Sequence, residues 1–188
     1  MRRMLEPFIF ALVLVLVLVL SSPAIPASAA EWEPNSVADA LLGVQFPPDD
    51  LSWQSAMMED TADAYDGAVR QVQVYTFQSL TVFSVYPTEA GAADRIIGDI
   101  CLPIDQSDID IFSGDDFTGR LVAQEADRIL GIDICVIDTG TGAGASGRID
   151  NIVVTGISTY SASDTPAGAA MVAAIKGLAL VSALLPDS

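Results

Sequence analysis

Twice along this 188-residue chain a pair of β-rich stretches runs into an Ala-rich helix, and that order limits the fold more than any other feature. In the first unit Val72, Val74 and Thr76 alternate with Gln73, Tyr75 and Phe77, and Leu80 to Tyr86 is dense in β-branched and aromatic residues. Gln78-Ser79 between them predicts a hairpin. Pro87 and Thr88 then open a helix through Ala92, Ala93, Ile96, Ile97 and Ile100, whose spacing draws an apolar stripe down one side. In the second unit Ile129 to Ile137 reads as a strand, Thr139 to Gly147 as a Gly-rich turn, and Ile149 to Tyr160 as a strand. Thr165-Pro166 opens a helix towards Leu185. Two strand pairs that each feed a helix predict an α+β fold, an antiparallel sheet with two main helices packed on one face in ββα-ββα order. Elsewhere Ser36 to Leu42 reads as a short helix, residues 104 to 119 as an Asp-rich loop and Leu121 to Ala123 as a short strand. The stretch from Met57 to Gly67 is ambiguous between a helix and an irregular connection.

Ahead of this body stands an export signal. Arg2 and Arg3 give a positive start, Phe8 to Leu20 is uninterruptedly apolar, and Ala27-Ser28-Ala29 supplies the small residues a signal peptidase accepts. The apolar run is shorter than the roughly 20 residues of a spanning helix, and Pro23 and Pro26 follow it. The reading is a signal peptide over 1–30, cleaved to leave one domain over 31–188 in the medium or cell envelope; an uncleaved anchor, which would tie the domain to a membrane, is the alternative. No cysteine near the exit invites bacterial lipidation. The last helix, apolar except for Lys176 and Ser182, fits burial against the sheet better than a span, because a central Lys costs roughly 2.5 to 3.5 kcal/mol on insertion scales. A lipid-anchor signal after Ser161-Ala162-Ser163 is a more remote alternative.

Loss of Glu6, Arg2 and Arg3 with the leader takes the formal charge from −17 to −18. So acidic a surface repels phosphate backbones and anionic headgroups, which excludes nucleic acid as an expected partner. Cys101 and Cys135 are the two cysteines of an exported product, and one disulfide is predicted between them, with buried free thiols as the alternative.

The chemistry is marked by what is missing. With no histidine, the usual base near neutral pH, the Ser-His nucleophile pair and the commonest zinc ligand are gone, and no catalytic residue is assigned. Gly142-Ala143-Gly144-Ala145-Ser146-Gly147 matches G-x-G-x-x-G, but a strand rather than a helix follows it. It is read as a hairpin loop, and no cofactor is assigned. Asp105, Asp108, Asp110, Asp115 and Asp116 form the one candidate metal site, for Ca²⁺; Phe112 and Ser113 fall where an EF-hand wants Asp or Asn and then Gly, so a solvated loop is the competing reading. Asp133 and Asp138, at odd spacing beside a strand, should face opposite sides. Trp32, Trp53, Tyr65 and Tyr75 are the aromatics available to stack on a ring.

Leu41-Leu42 followed by Phe46-Pro47-Pro48, the passage from Thr81-Val82-Phe83 into Glu89-Ala90, and that from Ile152-Val153-Val154 into an Ala-rich helix together give the chain its layout. In this it resembles the extracytoplasmic sensor domains of actinobacterial Ser/Thr kinases and their free-standing secreted relatives. The resemblance implies an antiparallel sheet with helices on one face, a cleft and two disulfides, of which this chain can form one; it transfers no site residue. The expected function is an exported, non-catalytic ligand-binding or sensor-like domain whose partner is an unidentified small molecule or protein. A small hydrolase using Asp and Glu alone and a structural or adhesive surface protein are the alternatives. A deep apolar groove without an acid pair of raised pKa favours binding, and such a pair in one pocket favours the enzyme.

Overall fold

The computed structural model describes residues 32–47, 58–61 and 67–185, with the backbone path alone over 58–61. The predicted leader, Trp53 and Tyr65 lie outside the described residues. Helix α1 (Pro34–Leu42) is followed by strands β1 (Met58–Thr61), β2 (Arg70–Tyr75) and β3 (Leu80–Val85), then the short helix α2 (Glu89–Ala93) and strand β4 (Ile100–Pro103). Three short helices, α3 (Gln106–Phe112), α4 (Phe117–Gln124) and α5 (Ala126–Ile129), lead to strands β5 (Asp133–Asp138), β6 (Gly142–Ile149) and β7 (Ile152–Thr159). The long helix α6 (Pro166–Leu184) follows. The strands form one sheet in the order β1-β2-β3-β7-β6-β5-β4, and every neighbouring pair is antiparallel. The α+β class and the antiparallel sheet read from the sequence are therefore the observed ones.

Alternation along the strands sorts the side chains onto two faces. On one, Val72, Val74, Phe83, Val85, Val154 and Ala145 meet the buried residues of α1, α4 and α6 in a single core. On the other, Val153 joins Ala68, Tyr86 and Ala92 in a small cluster beneath α2. The first predicted helix thus departs from expectation: it stops at Ala93 and lies on the face opposite α6. Ile100, expected at its end, begins β4 instead. Between them the chain crosses so close to β5 that a Cβ on Gly98 would sit 2.5 Å from the Cys135 carbonyl carbon.

Of the Gly-rich turn expected over Thr139 to Gly147, residues 139–141 do turn the chain from β5 to β6, but 142–147 belong to strand β6; the next tight turn falls at Asp150-Asn151, with Asp150 at φ 49°. Small residues are needed there because α6 lies almost directly on the sheet. A Cβ on Gly156 would collide with the Ala170 carbonyl oxygen, and one on Gly147 would lie 2.6 Å from Ile134 Cδ1 and 2.8 Å from Leu178 Cδ1. The same closeness explains why the helix reads as apolar all round. It is long and apolar enough to cross a membrane, yet most of it is packed inside the fold, as the burial reading expected.

Within the Asp-rich residues 104 to 119, expected as loop, 106–112 and 117–119 are helical, and so is Leu121 to Ala123, expected as strand. Asp105 caps α3 in a reciprocal capping box with Asp108, and Asp116 caps α4 by accepting from the Gly119 N–H at 2.5 Å. Glu33 likewise caps α1, accepting from Ser36 N at 2.7 Å, so the helix expected from Ser36 begins at Pro34. Ambiguous residues 58–61 pair with β2 as an edge strand.

Asn151, fully buried in the β6–β7 turn, clasps three segments. Its Nδ2 donates to Tyr86 O at 2.7 Å and Trp32 O at 2.9 Å, and its Oδ1 accepts from Trp32 N at 3.0 Å. Trp32 Nε1 also donates to Asp150 Oδ2 at 2.9 Å. Truncation strands these buried groups, so Asn151→Ala should lower unfolding free energy by about 2–3 kcal/mol in a denaturant titration.

Cys101 and Cys135 stand directly opposite each other in the β4–β5 pairing and are bonded, with Cα atoms 3.9 Å apart. The bridge spans 34 positions of sequence, and such a loop contributes about 3–4 kcal/mol in the chain-entropy account. Reduction should add two hydrogens to the intact mass and accelerate amide exchange over residues 100–103 well before that of β6 and β7.

Candidate functional site

Helix α6 runs over β7 and β6 and reaches β3 and β5, leaving the β4 edge bare on the helical face. Ile100 and Leu102 pair with Val136 and Ile134 and share their face of the sheet, yet each is 65% exposed. They form the floor of a groove of about 400 Å³, with Met171 and Ile175 of α6 as one wall and the entry to α3 as the other. That entry is fixed by the backbone: Ile104 N donates to Ile132 O and its carbonyl accepts from Gly131 N, both at 2.9 Å. The wall it forms ends in two carboxylates, Asp105 and Asp108.

These two acids are held by the turn they cap. Asp105 Oδ1 accepts from Ser107 N at 2.8 Å, from Ser107 Oγ at 2.5 Å and from Asp108 N at 3.1 Å, while Asp108 Oδ2 accepts from Asp105 N at 3.0 Å. The hydroxyl of Ser107 and then the N–H of Asp108 favour the charged form, so the Asp105 carboxyl is held below the usual range. This shift runs opposite to the one a general acid near neutral pH requires. Glu33 is lowered in the same way by the Ser36 N–H it caps.

The five acids of the candidate calcium site do not converge. Asp105 and Asp108 are at the groove, Asp110 accepts from Gln106 on the exposed side of α3, and the Asp115 carbonyl accepts from Arg120. Asp116 turns inward to a partly buried ion pair with Lys176 at 2.8 Å. Among the described residues no group of three or more Asp, Glu, Cys or His is placed to hold a metal ion. Asp138 starts the β5–β6 turn, accepting from Gly140 N at 2.8 Å, and it stands at the opposite end of β5 from Asp133, the residue that pairs with Pro103. Trp32 is committed to the clasp and Tyr75 donates to Gln73 Oε1 at 2.5 Å.

On the opposite face a second cavity, of about 350 Å³, lies over β5, β6 and β7, walled by Ile97 from the crossing segment and by Ile137 and Ile157. Its polar atoms are mutually engaged at Ser146 and Thr155, whose hydroxyls are 3.1 Å apart. No family model, curated protein or solved structure matches this chain.

Of the groove's residues the sequence singles out Asp105 and Asp108 as metal candidates and Ile100 as part of a helix stripe, whereas Leu102 and Met171 carry no signal of their own. Their convergence is not legible there, because it follows from where α6 ends across the sheet. Asp105 gives the site a pH signature. A folded carboxyl pKa below its unfolded value near 4 stabilises the fold above that pH, and the contribution disappears as pH falls through the folded value. Asp105→Asn keeps the cap but does not titrate, so its acid-unfolding profile below about pH 4 should be shallower than the wild type's, as followed by circular dichroism.

Proposed function

We propose that this protein is an exported, non-catalytic ligand-binding domain of the sensor-like kind, and that the groove between α6 and the β4 edge receives the ligand. One observation carries the reading: a concave apolar surface of about 400 Å³ with two large aliphatic side chains left open on its floor. Cavities of roughly 300–1,000 Å³ suit small molecules. Burying Ile100 and Leu102 under a ligand removes apolar area that folding left in water, which favours binding by roughly 25 cal/mol for each Å² covered. The disulfide supports the export half, since such bridges persist outside the reducing cytosol. So does the leader-like start of the chain, with its basic residues, apolar run and small-residue exit.

A neutral fluorescent probe such as N-phenyl-1-naphthylamine tests the groove. It should brighten on titration into the protein, and Leu102→Ser should weaken its binding about fivefold, the loss of roughly 1 kcal/mol of apolar contact. Because Leu102 is 65% exposed, this change spares the core. Ile97→Ser, in the opposite cavity, should leave binding unchanged. Loss of signal with Ile97→Ser rather than Leu102→Ser moves the site to the other face, and no brightening at all defeats the reading.

A further inference from the structure

We propose that the occupant of the groove is a small cationic amphiphile, a molecule with an apolar body and a single protonated amine, the body lying on Ile100, Leu102, Ile134 and Val136 and the amine meeting Asp105 and Asp108. This rests on the groove reading above and adds the charge and size of what fills it.

The lining is apolar except at one end, where the charged side chains are both carboxylates and none is basic. A neutral body that reached that end would strip water from two anions and return nothing, and an anionic head would meet repulsion as well. A cation replaces the lost water with charge-assisted hydrogen bonds. The carboxylates have the capacity for it. Each is tied into the capping box through one oxygen, Oδ1 of Asp105 and Oδ2 of Asp108, and the other oxygen of each takes no hydrogen bond from the described residues. The formal charge of −17 adds attraction at long range, drawing cations to the surface and opposing a second copy of this acidic chain. Size separates a small molecule from a protein partner: a groove of about 400 Å³ holds a drug-sized ligand, whereas a stable protein interface covers roughly 800 Å² on each side.

Three probes sharing a ten-carbon chain, decylammonium, decanol and decanoate, separate charge from grease when each competes at neutral pH and below its micellar concentration with the neutral dye. Decylammonium should compete about tenfold better than decanoate, as expected for two partly solvated carboxylates, with decanol between them. In Asp105→Asn/Asp108→Asn, where Asn still accepts the capping bonds, the difference should collapse while decanol competes as before, which also shows the groove intact. Equal competition by all three overturns the cationic occupant and leaves the groove standing. A preference that survives in the double variant places the effect in the general acidic surface and overturns it too. Stronger competition from a basic amphipathic peptide than from decylammonium replaces the small amphiphile with a peptide partner. If the dye itself does not bind, both readings fall together.

Discussion

The closeness of α6 to the sheet determines much of the rest. Backbone meets backbone at Gly156 and Ala170, so the residues facing each other there must lack bulk, and the chain supplies them from both sides: Ala143, Ala145 and Gly147 on β6 and Ala170, Ala173, Ala174 and Gly177 on the helix. Dense packing of this kind compensates for the small apolar area each alanine buries, because contacts are many and voids few. It also explains why one lysine is tolerated inside. Lys176 reaches the edge of the packed zone and meets Asp116, whose other oxygen caps α4, so a single carboxylate fastens two helices. At the far end Arg128 donates to the Ser182 and Leu185 carbonyls, satisfying acceptors that the last turn of α6 leaves over.

A helix pressed so tightly onto β6 and β7 cannot also shield the sheet's β4 end. The groove is the geometric remainder: the helical layer covers the middle strands, α1 serves the β2 side, and the short helices α3 to α5 pack against α6. What is left beside β4 is an apolar floor with a polar stop at the α3 cap.

Much of the scaffold was legible in the sequence. Strands read from alternation at Val72, Val74 and Leu80 to Tyr86 are there within a residue or two, and the last helix begins at Pro166 as its Pro signal suggests. The departures have separate physical causes. Glycine and alanine carry little strand propensity, so β6 was invisible until the helix that demands those residues was placed above it. Ile96, Ile97 and Ile100 mimic one helical stripe but divide between three environments: the small cluster under α2, the opposite cavity and the groove. The caps follow N-terminal patterns, Asp105 three before Asp108 and Asp116 three before Gly119, but five acids so close together match a cation site equally well as a sequence pattern.

The cystine has a geometric meaning beyond covalent stability. Strand β4 has four residues and a single neighbour, so beyond the flanking backbone bonds of Asp99 to Val136 and Ile104 to Ile132 its place along β5 rests on this pair. A shift of one position would rotate Ile100 and Leu102 to the far side of the sheet and bring Cys101 and Pro103 to the helical side, erasing the floor on which a ligand would rest. Bonding residues that face each other directly forbids that slip. The bridge acts as a registration pin, and the shape of the cleft is inherited from it.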